Sequence, residues 1–139
     1  MLNSNDKHEL KIRSLHPLIG AEVTNVDFKE PLQSSIVEQI HKAWMEHQIL
    51  VFPNQKISDE QHVAVTRNFG EPEIFHQSII KSKFVKEIFR VSNTDENGRL
   101  MPQSDPIQKQ LSSAKKWHTD SSYRSIPAMG SLLHGVEVS

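Results

Sequence analysis

"SSIVEQIHKAWMEHQILVFP" (Ser34–Pro53) carries two periodicities in one continuous stretch. Ile36, Val37, Ile40, Ala43, Trp44 and His47 recur at three- and four-residue spacing, which predicts an amphipathic helix. Ser35 with Glu38 has the form of a capping box, in which each side chain satisfies a free backbone N–H at the helix start. The pattern then changes to "QILVF", a short, apolar, β-branched run closed by Pro53, and this predicts a buried strand.

On the N-terminal side, residues 1–9 are polar and expected to be flexible. "ELKIRSL" alternates apolar and polar residues and predicts a strand. "HPLIGAEVTNVDF" predicts a turn and a second strand, with a bulge where Val26 and Phe28 fall out of phase with Ala21 and Val23. On the C-terminal side, Ser58 with Gln61 repeats the capping-box pattern ahead of Val63, Val65 and Phe69, predicting a second helix ended by Gly70 and Pro72. "EIFRVSN" (Glu87–Asn93) reads as a strand. Thr94–Lys116 is polar, with Gly98, Pro102 and Pro106, and reads as a long loop suited to be a lid. "WHTDSS" and "GSLLHGVEV" read as the last two strands.

This order does not alternate strand and helix regularly, and neither a G-x-G-x-x-G turn nor a Gly-Lys-Ser/Thr phosphate loop occurs. An α+β fold, with helices covering a β core, is expected. The 139 residues allow one domain with a modest core. With 16 basic and 17 acidic residues and no basic stripe, there is no electrostatic case for nucleic acid or an anionic membrane as a partner. No apolar run approaches the about 18 residues of a spanning helix, and no leader pattern is visible, so a cytoplasmic location is expected. Cysteine is absent, which excludes disulfides, thiolate metal sites and cysteine nucleophiles.

Within "WHTD" (Trp117–Asp120), His118 and Asp120 stand two positions apart. In an extended segment such residues share a face. An imidazole nitrogen and a carboxylate oxygen on one face suit Fe(II), and a second histidine would complete a 2-His-1-carboxylate facial triad. His-x-Asp alone is weak, because a surface histidine hydrogen-bonded to a nearby aspartate has the same pattern. Trp117 is expected to pack in the core. Ser121 and Ser122 have no histidine–acid pair placed around them, which argues against a serine hydrolase.

Three stretches extend this motif: "LHPLIGAEVTNVDFKEPL", "HQILVFPNQKISDEQHVAVTRNFGEPE" and "WHTDSSYRSIPAMGSLLHGVEV". In this order and spacing they resemble the N-terminal part of the TauD/TfdA family of Fe(II)- and 2-oxoglutarate-dependent dioxygenases. The resemblance implies a double-stranded β-helix, or jelly-roll, core over residues 10–139, C-terminally incomplete. It implies His118 and Asp120 as the first two iron ligands, with 2-oxoglutarate as co-substrate and a small organic acid and O₂ as reactants. His76, Asn93 and Tyr123 are candidates for contact with the organic acid. Each has a plainer reading: a loop histidine, a turn residue and a side chain that simply covers the site.

The family's "GGDT"-like stretch, distal histidine and 2-oxoglutarate-binding arginine have no match before Ser139. His134 is the one histidine after Asp120, and its phase with Leu132, Val136 and Val138 favours packing over ligation. The chain therefore resembles a front portion of a family member, expected to turn over little in isolation. Exposed sheet edges would be open to a companion chain or a second copy. The rival reading is a non-catalytic remnant, or an interaction module that pairs by strand addition.

Overall fold

The computed structural model describes residues 9–74, 85–95, 97–113 and 117–138. They fall into two units, Met1–Glu71 and Pro72–Ser139.

In the first unit, β1 (Lys11–Ser14) pairs antiparallel with β2 (Ala21–Thr24), in a register that sets Ile12 opposite Val23. Gly20 makes the return possible with φ +92, a conformation that a side chain would strain, and its carbonyl accepts from the Leu15 N–H at 2.9 Å. β2 ends at Asn25, which takes φ 67, a left-handed conformation that asparagine tolerates. The expected phase change before Val26 is therefore a strand end and not a bulge. α1 (Ser34–His47) then crosses over and delivers β3 (Leu50–Val51), which pairs parallel with β2, Ala21 opposite Leu50. The sheet order is β1-β2-β3.

Ala21 and Val23 are both 0% exposed, while Glu22 and Thr24 between and after them are not buried, as a sheet with one packed face requires. Ile36, Ile40 and Ala43 form the buried stripe of α1, and Leu10, Phe28, Val63 and Val65 are also buried. Phe28 packs on Phe52 with ring centroids 4.8 Å apart. Gln55 ties the two loops together: its Oε1 accepts from the Phe28 N–H at 3.0 Å and its Nε2 donates to the Val26 carbonyl at 3.1 Å.

The helix ends tell two stories. At α2 (Asp59–Thr66) the expected capping box is complete: Ser58 Oγ accepts from the Gln61 N–H at 3.3 Å, and Gln61 Oε1 accepts from the Ser58 N–H at 2.9 Å. At α1 the N-cap is Gln33, without a side-chain cap, so Ser35 is already the second residue of the helix, two positions past the cap, and makes no capping box with Glu38. α1 stops at Gln48, with φ 59, whose N–H still bonds the Trp44 carbonyl at 2.7 Å. β3 is shorter and less buried than its composition predicts, with Val51 44% exposed.

The second unit departs further from the expectations. Glu87–Asn93 is not a continuous strand, with an isolated bridge position at Phe89; it leads into a tight excursion closed by a Thr94–Leu100 bridge, inside which Asp95 Oδ1 accepts from the Asn97 and Arg99 N–H groups, each at 2.8 Å. The expected long loop 94–116 contains α3 (Pro106–Ser113). Asp105 starts this helix by accepting from the Ile107 N–H at 2.8 Å, and Pro106 occupies the first helical position, where its missing N–H costs nothing. Trp117–Thr119 is irregular and Asp120–Tyr123 is a turn, so "WHTDSS" is not a strand. The stretch 130–138 is irregular too. An alternating sequence becomes a strand only when a neighbour satisfies its backbone groups, and none pairs with it among the described residues. The described strands thus form one three-stranded sheet, and the jelly roll implied by the resemblance is not drawn by the described residues. The expected flexible N-terminus lies, through residue 8, outside the described residues.

Candidate metal centre

His118 and Asp120 meet where the irregular segment after Trp117 enters the turn at Asp120. His118 Nε2 lies 3.1 Å from Asp120 Oδ1, with both side chains open to solvent. The two groups therefore share a side, although residues 117–119 are irregular and not part of a paired strand. The other oxygen of the carboxylate, Oδ2, accepts from the Ser131 hydroxyl at 3.0 Å.

The separation of 3.1 Å fits two states. It is an ordinary distance for an imidazole–carboxylate hydrogen bond. It is also close to the spacing of adjacent donors on one cation, because two bonds of about 2.1 Å at a right angle place their donor atoms about 3.0 Å apart. Nitrogen-and-oxygen donors of this kind suit a first-row divalent metal. Among the described residues no group of three or more His, Asp or Glu side chains gathers to hold a metal, so the pair is a two-donor set.

Behind the pair is an arrangement that sequence reasoning missed. Residues Ser121–Arg124 form a turn closed by the Arg124 N–H donating to the Ser121 carbonyl at 3.0 Å. Ser121 takes φ 55 and is 9% exposed. Its hydroxyl donates to Glu73 Oε2 at 2.8 Å, and the Arg124 guanidinium is ion-paired with Glu73 Oε1. Glu73 Oε1 is out of solvent and, among the described residues, meets no donor at hydrogen-bonding angles, so the charge of Arg124 compensates it. No periodicity links residue 73 to residue 121. The only sequence signal was an acidic residue in "FGEPE" and a basic one in "SSYR", too common to pair by inspection.

The remaining candidates are dispersed. Trp117 is fully exposed, which overturns its expected place in the core: with no strand to carry it inward, the side chain leaves the protein surface. Tyr123 is 72% exposed, with the Arg124 guanidinium 5.8 Å from its ring centre. Asn93 is exposed, its carbonyl accepting from the Met101 N–H at 2.9 Å. His134 is half-buried in an irregular stretch and not on a strand face. His76 lies outside the described residues.

The chain is similar to known proteins. The chain is 34% identical over 129 residues to the alpha-ketoglutarate-dependent 2,4-dichlorophenoxyacetate dioxygenase of Cupriavidus pinatubonensis, a match covering 89% of this chain and 44% of that protein. It is 32% identical over 124 residues to the (S)-phenoxypropionate/alpha-ketoglutarate-dioxygenase of Sphingobium herbicidovorans, covering 88% of this chain and 39% of that one. Among solved structures, AAD-2 in complex with Mn(II) and N-oxalylglycine superposes with a TM-score of 0.72 at 28% identity, over 86% of this chain and 39% of that chain. A taurine dioxygenase from Burkholderia xenovorans gives 0.66 at 29% identity, over 85% and 37%. The chain thus spans less than half the length of these relatives. The family model for the taurine catabolism dioxygenase TauD/TfdA family matches residues 11–139, and the chain belongs to that family.

Proposed function

We propose that this chain supplies the His118–Asp120 arm of an Fe(II)- and 2-oxoglutarate-dependent dioxygenase that hydroxylates a small organic acid. The observation that carries the reading is the 3.1 Å approach of His118 Nε2 to Asp120 Oδ1, a spacing that fits adjacent donors on one ion, in a chain of this family. Support for a metal and a 2-oxo acid comes from the relatives: several are named for alpha-ketoglutarate, and AAD-2 binds Mn(II) with N-oxalylglycine, which shares the oxo-acid head and distal carboxylate of 2-oxoglutarate.

Ferrous iron with 2-oxoglutarate and O₂ would supply the oxidising chemistry, while the protein provides binding and orientation. His118 would present neutral Nε2 and Asp120 would present Oδ1, both from one short segment. Ser131 would hold Oδ2 and keep the carboxylate from rotating. Tyr123, Asn93 and His76 would be the candidates for contact with the organic acid. In this reading the β1-β2-β3 sheet is part of a jelly-roll core, and residues 130–138 become a strand when further strands of that core, or another chain, pair with them.

Anaerobic titration tests the assignment. Fe(II) and 2-oxoglutarate together should give a weak visible charge-transfer band with the chain, and His118→Ala and Asp120→Ala should each remove it. A band of equal strength in both variants would place the metal elsewhere.

A further inference from the structure

Glu73 stands 48 residues before Ser121 and is the acceptor that reaches this buried serine. One carboxylate engages both corners of a single turn: Ser121 at its start through Oε2, and Arg124 at its end through Oε1. The backbone hydrogen bond from Arg124 to Ser121 closes the same turn from within. Asp120 is the residue immediately before it, so whatever fixes Ser121 also fixes the peptide from which Asp120 projects. Ser121 sits at φ 55, which costs a non-glycine residue free energy and persists only when the surroundings hold it. Its hydroxyl bond to Glu73 is the contact that holds it.

We propose that Glu73 is the positioning residue of the metal pair. Its carboxylate clamps the Ser121–Arg124 turn in the conformation that aims Asp120 at the ion shared with His118. Glu73 itself touches neither member of the pair among the described interactions and acts through Ser121. The inference rests on the reading of His118 and Asp120 as metal ligands and adds a carboxylate outside the His-x-Asp motif. Outer partners that orient a ligand in this way typically change metal affinity about 10- to 100-fold when removed.

The test uses Mn(II) as probe, with free Mn(II) counted by electron paramagnetic resonance, and amide hydrogen exchange across residues 118–124 without metal. Glu73→Ala should weaken Mn(II) binding about tenfold or more and speed exchange in that window. Ser121→Ala should do the same, and the double variant should be no weaker than Glu73→Ala alone. Glu73→Gln keeps an acceptor for Ser121 and should recover part of the loss. Val23→Ala, a destabilising change in the other unit, should leave Mn(II) affinity unaltered, which separates positioning from general loss of stability. Wild-type Mn(II) affinity in Glu73→Ala, or unaltered exchange at 118–124, overturns the proposal. If His118→Ala and the unmodified chain take up Mn(II) alike, the metal reading fails. The exchange measurement then still decides whether Glu73 holds the turn.

Discussion

Ser131 donates its hydroxyl to Asp120 Oδ2 at 3.0 Å, while Oδ1 of the same carboxylate faces His118 Nε2 at 3.1 Å. One oxygen is thereby held by the protein and the other is left directed toward the imidazole. A carboxylate free to spin about its terminal torsion offers a metal either oxygen, and losing that freedom on binding has an entropic cost. Ser131→Ala removes the hydroxyl and should weaken divalent-metal binding, by about tenfold at the lower end of outer-partner effects. Both groups are exposed, so the unfolding free energy should stay within about 0.5 kcal/mol of the parent. Metal titration beside a denaturant melt would show the two effects apart.

The capping box at α2 gives a second expectation. Ser58 and Gln61 exchange two hydrogen bonds, and Gln61 Nε2 reaches back to the Lys29 carbonyl at 3.0 Å, so the cap also anchors a loop. Ser58→Ala should cost about 1 kcal/mol, read as a lowered midpoint in urea.

The same cap predicts a pH effect. The Ser58 hydrogen bond, followed by its own backbone N–H, holds the Glu60 carboxyl below the ordinary carboxylate range. A group depressed in the folded state binds protons more readily when unfolded. Its contribution is therefore fully present above the ordinary carboxylate value and disappears as pH falls through the lowered folded value. Glu60 is fully exposed, so the contribution is small and salt-sensitive. Glu60→Gln should unfold at a slightly lower temperature than the parent at pH 7 in low salt, and the gap should close in acid. An equal gap at pH 7 and in strong acid would contradict this.

Packing provides a sharper contrast. Val23 is 0% exposed and Val51 is 44% exposed, though the sequence presents both as apolar strand residues. Val23→Ala removes two buried methyl groups and leaves a cavity beneath β2, a loss of roughly 2 kcal/mol. Val51→Ala should cost less than about 0.5 kcal/mol. Chemical denaturation of the two variants side by side gives the comparison.

The difference between those valines also shows what the sequence could convey. α1 was legible because Ile36, Ile40 and Ala43 repeat at the helical period on a face that is in fact buried. The Ser58–Gln61 cap was legible because its chemistry is local. Elements that depend on a partner were not. Residues 87–93 and 130–138 alternate well enough to be strands, yet among the described residues no strand lies alongside them. α3 was hidden by its polar composition, although Asp105 followed by Pro106 is a helix start in its own right. At the site, the two-residue spacing was enough to make His118 and Asp120 neighbours, although the segment that carries them is not a paired strand. Glu73 was out of reach altogether, because its partners depend on tertiary structure.

The two readings of the His118–Asp120 contact, a hydrogen-bonded surface pair and half of a metal centre, separate on one isosteric change. Asp120→Asn keeps one oxygen able to accept from His118 and puts an amide NH₂ at the Ser131 side, where the rotatable Ser131 hydroxyl can turn to accept it, so the turn and its stability should be nearly unaltered, within about 0.5 kcal/mol. It removes the negative charge a divalent ion needs from this donor. If the pair only folds the turn, nothing measurable should follow. If it holds a metal, Mn(II) affinity should fall by more than about a hundredfold, beyond the effect of losing an outer partner, while the unfolding transition stays in place. An unmoved affinity in Asp120→Asn would leave the contact as an ordinary surface hydrogen bond.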